Sequence, residues 1–116
     1  MAQYEELTID QGSDVSIRLE CINTNGTAKD LLNYTAAGKI KKTYNTSDSD
    51  ATTFATSIVN PSSSGQIELT LTNAQTTALS AGRHVYDVEI STQDSAGDNV
   101  IERIIEGILV VKPNVT

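Results

Sequence analysis

The sequence predicts an all-β protein, an immunoglobulin-like Greek-key β-sandwich of about seven or eight strands with one short helical turn. Three observations lead there. The chain is rich in Thr, Ser, Val and Ile, with no Trp and a single Phe; β-branched side chains pack well on pleated surfaces and lose χ1 freedom in helices. Short alternations of apolar and polar residues recur, bounded by turn signals every ten residues or so, as sandwich strands require. One segment, 72–82, breaks that rhythm just before the penultimate strand. An eight-stranded barrel or jelly roll is the alternative arrangement.

Each element has its own signal. Leu7 and Ile9 alternate with polar neighbours in a short first strand. In DVSIRLECIN (14–23), Val15, Ile17, Leu19 and Cys21 share one face, and Ser16, Arg18 and Glu20 the other. That period of two marks a half-buried strand, and Asn25-Gly26 then signals a turn. A third strand over 34–44 sets Tyr34, Ala36, Gly38 and Ile40 against Lys39, Lys41 and Thr43. Residues 45–53 read as an exposed loop, 54–59 as a fourth strand ending at Asn60-Pro61, and GQIELTL (65–71) as a fifth.

In TNAQTTALSAG (72–82), Thr72 or Asn73 can cap a helix, Gln75 completes a capping box with Thr72, and Gly82 can end the turn. RHVYDVEIST (83–92) is a sixth strand, DSAGDN (94–99) a loop, and 100–111 a last long strand. Gly107 is expected to mark a bulge there, where the apolar pattern changes phase. Because Ile104, Ile105, Ile108, Leu109, Val110 and Val111 crowd this strand on both faces, its outer face is expected to be covered, either by the helical turn and the loop at 45–53 or, the favoured expectation, by another subunit through strand-edge pairing or sheet packing. The competing expectation is that Gly107 switches the inward face, so that one monomer buries all six.

Composition bounds the function. At 116 residues the chain forms one domain, 1–116, around one core. A net charge of −7 repels phosphate backbones and argues against nucleic acid as a partner. Met1 is followed by no basic-then-apolar leader, so secretion through a signal peptide is not expected. The longest apolar stretch, IIEGILVV (104–111), is too short to span a bilayer, so no membrane partner is expected. A single cysteine, Cys21, allows neither an internal disulfide nor a metal-binding pair.

The segment SAGRHVYDVEIST (80–92) brings His84, Tyr86, Asp87 and Glu89 close in sequence. On a strand they divide, with His84, Tyr86, Val88 and Ile90 on one face and Val85, Asp87 and Glu89 on the other. His84 and Asp87 therefore form no dyad. Leu79, Gly82 and His84 occupy the places of the leucine, glycine and tyrosine that pin the corner before the sixth strand of immunoglobulin-like sandwiches, so His84 is expected to be a hydrogen-bonded corner residue. Cys21 sits where such domains place one disulfide partner, and Tyr86 stands where the other would be.

No G-x-S-x-G, P-loop, H-E-x-x-H or C-x-x-C motif occurs. Cys21 and His84 both fall on core-facing positions, which predicts an inert thiol. Asp48/Asp50 and Asp94/Asp98 do not match a calcium loop. The sequons at Asn25, Asn33, Asn45 and Asn114 reflect composition, and Lys39, Lys41 and Lys42 form a small basic island in an acidic chain. The chain is thus expected to be no enzyme, with no catalytic, cofactor-binding or metal-ligating residues and no cofactor.

In chain order, DQGSD (10–14), DLLNY (30–34), Lys39-Ile40-Lys41, GQIELTLTNAQTTALSAG (65–82), VYDVEI (85–90) and IERIIEGILVVKPNVT (101–116) resemble a module of tailed bacteriophages of the marine and cyanobacterial type. That module is a virion structural protein, similar to the N-terminal immunoglobulin-like domain of upper baseplate proteins. Asn33 departs from the family in standing where a glycine is usual, and His84 replaces the usual aromatic. The resemblance implies a virion protein made in the host cytoplasm, which assembles in the tail, baseplate or fibre region with other virion proteins and with copies of itself. A capsid decoration protein or a host-surface glycan-binding module is the alternative. The aromatics available to a sugar are Tyr4, Tyr34, Tyr44, Tyr86 and Phe54, most of them expected to be at least half buried.

Overall fold

The computed structural model describes residues 3–115. It is a two-sheet β-sandwich built from β1 (Gln3–Tyr4), β2 (Leu7–Asp10), β3 (Val15–Glu20), β4 (Thr35–Lys41), β5 (Thr52–Thr53), β6 (Ala55–Ile58), β7 (Gln66–Leu71), helix α1 (Asn73–Ala78), β8 (Gly82–Gln93) and β9 (Asn99–Lys112). The larger sheet runs β1-β9-β8-β4-β5, with β2 also on β9, and the smaller runs β3-β7-β6. Two of the segments are halves of broken strands. β1 and β2 pair parallel with β9 in one unbroken register and part only at Glu5 and Glu6. β5 and β6 part at Phe54, where the chain leaves one sheet for the other. Joining each pair yields seven strands in the immunoglobulin-like order.

Alternation places the core. Ile67, Leu69 and Leu71 of β7 face Val88 and Ile90 of β8 and Leu109 and Val111 of β9, all at most 2% exposed. Gly38 makes room for the strand that switches sheets. The Phe54 N–H donates to the Gly38 carbonyl, and a Cβ at 38 would lie 3.0 Å from the Phe54 ring. The molecule measures 49 by 27 by 22 Å, and its longest strands are β8 and β9, of 12 and 14 residues, each about 40 Å or more at about 3.3 Å per residue.

Several expectations need correction. The third strand is shorter than 34–44, and the loop at 45–53 ends in β5 after a 3₁₀ turn over Asp48–Asp50. The Thr72–Gln75 capping box forms, but α1 ends at Leu79 in an extended conformation, and Gly82 opens β8 instead of closing the helix. The bulge in β9 falls at Ile104, because Val88 pairs with Ile105 and Glu89 with Arg103. Gly107 stays in phase, with Ile105, Gly107, Leu109 and Val111 all inward. Had that alternation run on unbroken, Arg103 would face the interior; the extra residue turns it outward. β1 and β2 flank β9 only from Ile105 to Lys112, so strand-edge pairing is closed off over that half, while residues 99–104 pair with β8 alone among the described residues.

Candidate functional site

Cross-strand registers define the outer face of the larger sheet. One row runs Thr53–Lys39–Asp87–Glu106–Tyr4, the next Lys41–Val85–Ile108, and a third carries Arg83–Val110–Thr8. Ala37, Glu89 and Arg103 form the row on the other side of Lys39. The face is concave, with a depression of about 420 Å3 lined in part by Lys39, Lys41, Tyr44, Val85, Glu89 and Arg103. Arg103 is its organising cation. Its Nε lies 3.3 Å from Asp87 and its Nη1 3.1 Å from Glu106, an arrangement the bulge at Ile104 makes possible. Ile108 and Val110 project from this face half-buried, Ile104, the extra residue of the bulge, packs half-buried against the core, and Ile105, Leu109 and Val111 are buried on the inner side. One subunit therefore does not bury all six apolar residues.

The His84–Asp87 segment divides between faces as expected. His84 is 5% exposed, and its Nε2–H donates to the Ser80 carbonyl at 2.8 Å, the corner bond. A carbonyl partner fixes the tautomer, with the proton on Nε2. Asp87 lies outward in its ion pair with Arg103. Tyr86 points inward and donates to the Glu5 carbonyl. Burial pushes the Cys21 thiol above its ordinary value, the Glu102 carboxylate adds to the rise and Lys29 opposes it. Such a thiol is a poor nucleophile.

The acidic spots serve turns. Asp94 Oδ1 accepts from the N–H groups of Ala96 and Asp98 at the hairpin tip, and Asp50 accepts from Ser47; the Asp48 side chain lies outside the described residues. Among the described residues no group of three or more His, Cys, Asp or Glu could hold a metal ion. Among the same residues no helix is long and apolar enough to cross a membrane. The basic island is split: Lys39 and Lys41 line the depression, whereas Lys42 Nζ donates to the Arg83 carbonyl. Asn25 caps its own turn by accepting from Thr27. Asn33 adopts φ 64°, the left-handed conformation that favours glycine and that asparagine tolerates. Of the aromatics, Tyr86 and Phe54 are buried and Tyr34 is half-buried, while Tyr4 and Tyr44 are exposed.

The arrangement offers charged rows beside an apolar strip, with no nucleophile–base pair in view among the described residues. The Arg103 cluster escaped the sequence reading, because only the bulge brings Arg103 to the face of Asp87.

No family model matches the sequence, and no curated protein does. Among solved structures it is similar to AggA, the major subunit of aggregative adherence fimbriae type I from Escherichia coli. The two share 11% identity at a TM-score of 0.38, over 92% of this chain and 89% of that one. A likeness that distant carries no argument about what the chain does.

Proposed function

We propose that the protein is a non-enzymatic structural module of a tailed-bacteriophage virion, joined to its neighbours through the outer face of the larger sheet. The observation that carries the assembly part is the strip of Val85, Ile108 and Val110, half-buried on central strands. An antiparallel sheet facing only water alternates cleanly to polar residues on that side. The phage setting rests on the ordered sequence pieces from DQGSD to the closing GILVVKPNVT. Mass spectrometry and electron microscopy of purified particles test it. The expected result is the protein in stoichiometric copies in the tail, baseplate or fibre region; density on the capsid instead identifies a decoration protein, and presence only in infected-cell lysate overturns the reading.

Host-surface glycan binding is the second reading. Tyr44 is 78% exposed at the rim of the depression, and an exposed ring beside polar groups is how a sugar's apolar face is held. A glycan array with Tyr44→Ala as control tests it, and an array without hits removes it.

A further inference from the structure

The edge of the smaller sheet, away from the face just described, carries its own consequence. β3 pairs with β7 on one side, and among the described residues no strand pairs with it on the other. In an antiparallel ladder, hydrogen-bonded and non-hydrogen-bonded pairs alternate. The Cys21 N–H donates to the Gly65 carbonyl, so Val15, Ile17 and Leu19, in step with Cys21, turn their backbone groups toward β7. Ser16, Arg18 and Glu20 turn theirs to the open side. Ile22 continues the row. Its bridge to Ala28 is made by its neighbours, with Lys29 N–H donating to the Cys21 carbonyl and Asn23 N–H to that of Thr27, so its own groups face the same open side.

The side chains on this edge are unfinished as well. Val15, Ile17 and Leu19 point inward and pack on the core but remain half-buried. On the other face Ser16, Arg18 and Glu20 are exposed, and Ile22 is 59% exposed. Edges that avoid pairing are kept short, covered, bulged or blunted by charged side chains and proline. This one has no bulge over Val15–Glu20 and no proline, and its two charges are of opposite sign, so they can pair across a two-fold instead of repelling.

We infer that the open edge of β3 is a self-pairing surface, on which two copies of this chain join antiparallel with Arg18 of each opposite Glu20 of the other. The register follows from charge. Centring the two-fold axis on Leu19 pairs Arg18 with Glu20 twice, sets Leu19 against its own copy, Ile17 against Cys21 and Ser16 against Ile22. Centring it on Arg18 opposes two guanidiniums, and on Glu20 two carboxylates; like charges directly opposite destabilise a sheet. Arg18 already lies 3.3 Å from Glu68 of its own subunit. A guanidinium has five donors, so that contact orients the group without exhausting it. The pairing is independent of the virion reading.

The test is a charge exchange read by sedimentation equilibrium. The wild type self-associates to a dimer, and Arg18→Glu and Glu20→Arg each weaken it by about tenfold or more by replacing attraction with repulsion at both pairs. The double exchange restores the dimer. An equimolar mixture of the two single variants also dimerises, since each copy then opposes Glu to Arg. In the wild type, amide exchange at Ser16, Arg18, Glu20 and Ile22 slows as concentration rises, whereas Ile17 and Leu19, already bonded to β7, show no such dependence. A wild type that stays monomeric at every soluble concentration, or a dimer indifferent to the single exchanges, overturns the proposal.

Discussion

The Tyr86 hydroxyl donates a 2.7 Å hydrogen bond to the carbonyl oxygen of Glu5, a residue 81 positions away. Gly107 stands opposite Tyr86 on β9, and a Cβ there would collide with that same carbonyl. The glycine lets the N-terminal chain close on the sheet where β1 and β2 part, and the phenol ties it down. Tyr86 stands where immunoglobulin-like sandwiches place a disulfide partner, but its bond runs within the larger sheet, and apolar packing joins the two sheets.

Removing the hydroxyl tests that tie. Tyr86→Phe keeps the ring and loses the donor, and is expected to cost about 0.5–1.5 kcal/mol. In thermal melts this is a drop of roughly 4 °C or more per kcal/mol. The Glu5 amide, which donates to Glu106, should exchange faster.

The same bond has a pH signature. Burial, with the charge on Glu5 and then Tyr4 adding to it, pushes the Tyr86 phenol from its ordinary 10.0 up to about 12. A group whose proton is held more tightly in the folded state contributes its stability in full below the unfolded pKa. That contribution is lost as pH rises from 10 to 12. Wild-type melting temperature should therefore fall more steeply across this window than that of Tyr86→Phe. Parallel curves would reject the assignment.

Gly107→Ala is the steric counterpart. The added methyl meets backbone, which cannot swing aside, so β1 must leave the sheet or the strand must distort. A loss of roughly 1–3 kcal/mol is expected, together with loss of exchange protection at the Glu5 amide. A neutral substitution would mean that the N-terminal segment is not seated as described.

Thr76 supplies a buried polar test. Its hydroxyl is fully buried, donates to the Ser13 carbonyl at 2.8 Å and accepts from the Gly12 N–H at 3.1 Å. It thereby fastens α1 to the turn between β2 and β3. Thr76→Val preserves the shape and orphans both backbone groups, at an expected cost of about 1–3 kcal/mol by chemical denaturation.

These examples mark what the sequence could convey. Alternation made β3, β7 and the inward row of β8 legible, since one buried face forces a period of two. The capping box of α1 was visible because its two residues stand three apart. The bulge was not, because adjacent isoleucines at 104 and 105 fit either phase. Nor was the Glu5 contact, which depends on two strands meeting across nearly the whole chain. A threonine in a short helix reads as surface, so the role of Thr76 emerged only once the turn at Gly12 was placed beside it.

Adjacent residues on β9 give the sharpest contrast between folding and assembly. Leu109 is wholly buried between the sheets, whereas Val110 projects half-buried from the outer face. Leu109→Ala should cost about 2–5 kcal/mol through lost transfer energy and the cavity left behind, and fail by unfolding. Val110→Lys leaves the core untouched, and a lysine stem can lie along the apolar strip with its ammonium in water. Its melting temperature should stay close to wild type. If the outer face contacts neighbouring virion proteins, particles made with Val110→Lys should lack the protein or carry it at reduced copy number, as read by mass spectrometry of purified virions. A Val110→Lys protein that folds and is incorporated at the wild-type level would remove the outer face of the larger sheet from the assembly interface.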